Sequence, residues 1–191
     1  QGLHAYEAVD YALAARKFRK IPTDSDLYPQ ALKVIRKIPY KRGKQAYEQK
    51  DYELAVRELE KVNSDFPEYA EAQEMLLRSE YVLLHRRYQR SSGKERMETL
   101  GKLVERSVKL ADSELLISSV NDIGEELDAS RDPEQTKVLL GMMEQTLASK
   151  DPVLMDRALK HLLMRFDRLN NQAAVRPQMF QMIGSIKLAM M

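Results

Sequence analysis

The sequence predicts an all-α protein: helical hairpins stacked as a solenoid, followed by further stacked antiparallel helices. Three observations carry this reading. Strong helix formers (Leu, Ala, Glu, Lys, Arg, Gln, Met) are abundant, and only seven glycines and seven prolines interrupt 191 residues. Apolar residues recur at three- and four-residue spacing along most of the chain. A skeleton also repeats at one offset of 41 residues: Tyr6 with Tyr47, Asp10 with Asp51, Tyr11 with Tyr52, Ala14 with Ala55, Phe18 with Leu59, Ile21 with Val62, Tyr28 with Tyr69, Ala31 with Ala72. A constant offset of this size marks helix pairs that bury their apolar faces against the next pair.

In chain order, residues 2–20 read as a helical hairpin. Leu3, Ala5, Tyr6 and Val9 form one apolar face, and Tyr11, Ala14, Ala15 and Phe18 form the next. Asp10 is placed to cap the second helix, since a short carboxylate accepts from free N–H groups of a first turn. Ile21-Pro22 ends it, because the residue before proline avoids helical geometry. Leu27 to Lys50 reads as the next helix, with Pro29 suited to its first turn and Pro39 expected to kink or interrupt it. Asp51 starts the partner helix, and the segment Asn63 to Pro67 closes the unit. Glu68 to Tyr88 begins a third copy, Ser91 to Gly93 is a turn, and Lys94 to Leu110 reads as its outer helix. Asp112, Asp132-Pro133 and Asp151-Pro152 then mark three helix starts. One apolar stripe runs from Leu154 to Leu169, and Pro177 opens a last helix to Met191. The expected division is residues 1–110 for the repeats and 111–191 for a C-terminal helical extension or bundle, which continues the solenoid or stands apart.

Composition narrows the chemistry. There is no cysteine, so disulfides, zinc–thiolate sites and thiol nucleophiles are excluded. The compartment stays open, because reducing and oxidising compartments both tolerate a cysteine-free chain. No run of 18 apolar residues occurs, so no membrane-spanning helix is expected. The chain begins at Gln1, which fits a processed chain or a piece of a longer one. The net charge of +2 is zoned: residues 1–44 carry ten Lys/Arg against four Asp/Glu, 45–80 four against ten, 81–111 eight against three, 112–151 three against ten, and 152–191 six against two. Alternating blocks suit neighbouring helices that neutralise one another or present charged stripes.

Gly43, Ala46, Tyr47, Asp51, Tyr52, Ala55, Leu59 and Pro67 fall close to the pattern of the tetratricopeptide repeat, and the stretch from Gly43 to Pro67 resembles one. Gly2, Ala5, Tyr11, Ala14 and Phe18 make a weaker copy. The copy from Ala72 is degenerate: Tyr81 and Tyr88 match Tyr40 and Tyr47, but Ser92 and Gly93 stand at the places of Asp51 and Tyr52. The resemblance covers roughly residues 2–110, and the later helix pairs are loosely similar to HEAT-type stacking. The family repeat is about 34 residues, so an offset of 41 implies longer helices or loops. The resemblance implies a right-handed superhelix whose first helices line a concave groove. It places Lys37, Tyr40, Lys44 and Glu48 on that wall, then Arg78, Tyr81, His85 and Gln89 one period on, with Tyr47 and Tyr88 at its border.

These observations point to a non-enzymatic scaffold or adaptor. It would bind a peptide or protein with acidic residues in a basic–aromatic groove and help assemble a larger complex. Lys and Arg meet carboxylates, and tyrosines supply rigid contact area. A second candidate surface is the methionine-rich stripe of the last helix, Met179, Phe180, Met182 and Ile183 onward, which adapts to varied partners or simply closes the stack. Catalytic signals are absent from the sequence. His4, His85 and His161 have no second ligand at metal spacing, the carboxylates Asp122, Glu125, Glu126 and Asp128 read as solvated helix surface, and there is no glycine-rich phosphate loop or nucleophile elbow. No cofactor is expected. Two alternatives remain: a binder of single-stranded RNA or DNA, through the basic clusters Arg16–Lys20, Lys41–Lys44 and Arg86–Arg90, or an accessory domain of a larger enzyme.

Overall fold

A computed structural model describes residues 1–191. The chain forms eleven α-helices and no strand: α1 Gly2–Glu7, α2 Tyr11–Phe18, α3 Tyr28–Glu48, α4 Tyr52–Leu59, α5 Tyr69–Arg90, α6 Gly93–Leu110, α7 Ser113–Ala129, α8 Pro133–Thr146, α9 Pro152–Met164, α10 Phe166–Asn170 and α11 Arg176–Ala189. No helix is long and apolar enough to cross a membrane. Two compact units divide the chain, Gln1–Leu83 and Leu84–Met191. The division falls inside α5 rather than near residue 110, because α6 packs with α7 and α8 and so belongs to the second unit.

In the first unit the 41-residue offset is written into the backbone. Val9 and Lys50 each take a left-handed conformation, with φ of 63° and 61°. The following aspartate donates its own N–H to the carbonyl of Ala5 or Ala46, at 2.9 Å in both copies. Its carboxylate then caps the next helix: Asp10 accepts from the N–H of Leu13 at 2.9 Å, and Asp51 from that of Leu54 at 3.0 Å. Across the corner Tyr6 meets Tyr11 edge-on with centroids 5.3 Å apart, and Tyr47 meets Tyr52 at 6.1 Å. Ala14 and Ala55 are wholly buried. The turns between hairpins also match. The N–H groups of Ser25 and Tyr28 bond the carbonyls of Pro22 and Ser25, and those of Phe66 and Tyr69 bond Asn63 and Phe66.

Two cores result. Phe18, Ala14 and Ile38 belong to the first, and Tyr40, Leu59 and Met75 to the second. Helix α3 serves both, with Ile38 in one core and Tyr40 in the other. This explains why α3 runs unbroken through Pro39, where a kink or an interruption is expected: buried anchors on both sides of the proline hold the helix across its missing N–H. The hairpins are also tied at their surface. Lys17 Nζ donates to Gln1 Oε1 at 3.3 Å; one offset later Arg42 pairs with Glu58 at 3.1 Å. The tie keeps its place while its chemistry changes.

In the second unit, α7 packs with α6, α8 and α9, and α11 packs with α8 and α9. The expected helix starts are met by side-chain caps: Asp112 accepts from the N–H groups of Glu114 and Leu115, Asp132 from Glu134, and Asp151 from Val153 and Leu154. Leu103, Val120, Ile123, Leu139, Met143 and Leu162 are wholly buried. The single stripe expected from Leu154 to Leu169 is divided. Helix α9 ends at Met164, and Arg165 (φ −109°, ψ 7°) separates it from α10. Arg165 is buried; its guanidinium donates to Asp128 on α7 and to the carbonyl of His161.

Candidate binding surface

In the first unit, Tyr40 is buried at 3% exposure. Its hydroxyl donates to Glu71 Oε2 at 2.7 Å, and Lys44 Nζ donates to the other carboxylate oxygen at 2.8 Å. Lys41 and Lys44 also lie 5.7 and 5.8 Å from the centroid of the Tyr40 ring. The hydrogen bond from Lys44 holds the Glu71 carboxyl below its usual range, and the same bond raises Lys44. Burial, reinforced by the bond to Glu71, raises the Tyr40 phenol. Glu71 is thus the centre of this cluster, although it is not among the wall residues that the resemblance implies. The available signal was its place beside Ala72, with the polar Gln30 one offset earlier.

The other expected wall residues differ in availability. Tyr47 is half-buried against Tyr52, and Glu48 is exposed. Arg78 donates to Glu74 Oε1 at 3.0 Å on its own helix. Tyr81 is buried. The Tyr40 ring therefore packs in the core and the Tyr81 ring is buried, so neither lines an open wall, and Lys44 and Arg78 already hold carboxylates of this chain.

Lys37 is different. It is exposed, and so are Lys33 and Arg36 beside it on α3. These positions are three and four residues apart and share one helix face. None of the three has an ion-pair or hydrogen-bond partner in this structure. One offset on from Lys33 and Lys37 stand Glu74 and Arg78, which form an ion pair with each other. The same two sites in α3 carry two positive charges.

In the second unit, Tyr88 is buried and its hydroxyl donates to Glu126 at 2.9 Å. The Arg96 guanidinium lies 4.1 Å from the Tyr88 ring centroid and donates to the same carboxylate. Burial raises the Tyr88 phenol, and the bond to Glu126 raises Arg96. His85 Nε2 lies 3.8 Å from Asp122 Oδ2. Burial pushes the Asp122 carboxyl up to about 6, against the pull of His85 and Arg96. Glu126, read from sequence as solvated surface, is buried, and Asp122 is partly buried, because α7 packs with α6, α8 and α9. On the last helix Met179, Met182 and Ile183 are buried, while Phe180 is half-exposed and meets Phe166 edge-on at 5.7 Å. No group of three or more His, Asp or Glu side chains is arranged to hold a metal.

No family model, curated protein or solved structure matches this chain.

Proposed function

We propose that this chain is a non-enzymatic interaction module: a tetratricopeptide-like stack of helical hairpins that holds an acidic segment of another polypeptide and helps assemble a larger complex. The observation that carries this reading is the unpaired basic face Lys33, Arg36 and Lys37 on α3. Like charges three and four residues apart destabilise a helix. An acidic ligand relieves that repulsion when it binds. The hairpin geometry repeated at 41 residues supports the kinship to tetratricopeptide repeats, since the cap, the corner and the close helix approach recur together.

The nucleic-acid alternative finds less support. In two of the three basic clusters the aromatic residue, Phe18 or Tyr88, is buried and offers no face to a base. Arg42, Lys44 and Arg87 are also engaged with Glu58, Glu71 and Glu95.

The test uses the full chain with labelled probes of equal charge magnitude: a glutamate-rich peptide, its oppositely charged lysine-for-glutamate counterpart, and a single-stranded RNA. The acidic peptide is expected to bind with salt-sensitive affinity, and the basic one not at all. Binding to RNA alone would replace this reading with the nucleic-acid one.

A further inference from the structure

Resting on that reading, we propose that the cleft between the N-terminal half of α3 and the turn after α4 is the seat of the acidic segment, which inserts an apolar side chain there while its carboxylates reach Lys33, Arg36 and Lys37. The cleft measures about 410 Å³ and lies wholly within the first unit. That is within the range of pockets that hold a small ligand or a few side chains, roughly 300–1,000 Å³.

Its lining has two parts. Ile35, Pro39, Phe66 and Pro67 supply apolar surface; Lys33, Arg36, Lys37 and Lys61 supply positive charge against the single carboxylate of Asp65. Lys61 is partly neutralised by Glu58, which it shares with Arg42 at 3.1 Å each. The three α3 cations have no such neighbour. Charge complementarity therefore selects an anionic occupant, and the apolar floor selects one with an apolar side chain. A bare polyanion satisfies only half of the lining.

The repeat itself offers a comparison. Positions that build the hairpin recur at 41 residues: the tyrosine pair, the capping aspartate, the buried alanine. The cleft cations recur only in part: Lys37 and Lys61 have Arg78 and Lys102 as counterparts, whereas the other two have no basic counterpart. Lys33 and Arg36 correspond to Glu74 and Leu77, and Pro39 to Glu80. Folding thus accepts an acidic or apolar residue at these positions, so hairpin geometry does not demand the basic cluster. On α3 the cleft lies on the stretch that precedes Gly43, where the tetratricopeptide-like segment begins, and of the groove residues expected by resemblance it takes in Lys37 alone.

The experiment measures fluorescence anisotropy of the full chain with a fluorescein-labelled glutamate decapeptide carrying a central Phe-Leu pair. The comparison probes are the same peptide with Ser-Ser at the centre and a single-stranded RNA decamer. Combined Lys33→Glu, Arg36→Glu and Lys37→Glu substitution is expected to weaken the Phe-Leu peptide by at least about tenfold. Reversal of Lys137 and Lys160 in the second unit is expected to leave it unchanged, and the Ser-Ser peptide to bind several-fold more weakly to the native chain. A benzophenone in place of the central phenylalanine is expected to cross-link to α3 or to residues 61–67, a readout that needs no variant. Peptide binding that survives the triple substitution, with cross-links elsewhere, overturns the cleft and leaves the acidic-partner reading standing. Failure of the native chain to bind the peptide overturns both. RNA binding that is tighter than the peptide's and lost in the triple variant overturns the polypeptide occupant.

Discussion

Gly43→Ala tests the helix packing of the first unit most directly. A Cβ built at Gly43 would lie 2.6 Å from Leu59 Cγ, 2.7 Å from its Cδ2 and 3.3 Å from its backbone N. Leu59 is wholly buried, so its side chain has little room to withdraw. Two effects oppose one another. Alanine is favoured over glycine in a helix interior by about 1 kcal/mol, and overpacking a core costs about 1–3 kcal/mol. The sum runs from near neutral to about 2 kcal/mol destabilising. Gly141 on α8 isolates the first effect, because a Cβ there meets nothing within 4 Å; Gly141→Ala is expected to stabilise by about 1 kcal/mol. The gap between the two variants is then the overpacking cost. At roughly 2–4 °C per kcal/mol for a chain of this size, it appears as a difference of several degrees in Tm. Thermal unfolding followed by circular dichroism measures it. Equal gains in Tm for Gly43→Ala and Gly141→Ala would show that α3 and α4 do not approach as closely as described.

Asp51→Ala removes the bond to the Leu54 N–H and is expected to cost about 1 kcal/mol, with Asp51→Asn near native; equal losses in Tm would deny the capping role. Met179→Ala, at a wholly buried site, is expected to cost about 2–5 kcal/mol, while Phe180→Ala at the half-exposed neighbour costs less. A reversed order in urea midpoints would mean that α11 presents its methionines outward. Asp122 governs a pH effect. Its folded pKa is raised from 3.8 to about 6, so the folded chain holds this proton more tightly than the unfolded chain does. The penalty of ionised Asp122 is complete above pH 6, shrinks as pH falls, and is gone below pH 3.8. Asp122→Asn is therefore expected to raise Tm more at pH 7.5 than at pH 4, and an equal shift at both would refute it.

The helices and their starts were largely legible in the sequence, because a cap is a local device. Asp10, Asp51, Asp112, Asp132 and Asp151 all accept from the first turn that follows them. The 41-residue offset was visible because a corner, a capping carboxylate and a buried alanine each restrict residue type. The fate of the tyrosines was not legible. Tyr40, Tyr81 and Tyr88 sit at helical spacing, and spacing alone does not distinguish a groove wall from the seam between two helices. The division of the stripe at Arg165 depends on Asp128, a residue 37 positions away, and no local pattern announces such a contact. Of the unpaired face at Lys33, Arg36 and Lys37, the family pattern points to Lys37 alone. A cation's freedom depends on where carboxylates of other helices fall.

The left-handed corners at Val9 and Lys50 carry a consequence for redesign. Neither valine nor lysine favours that conformation, and a β-branched residue there is a genuine outlier. Each corner is therefore bent by its neighbours, chiefly the aspartate that follows it, and acts as a small loaded spring worth about 1–2 kcal/mol. Glycine at both places would unload the springs and leave every helix where it is.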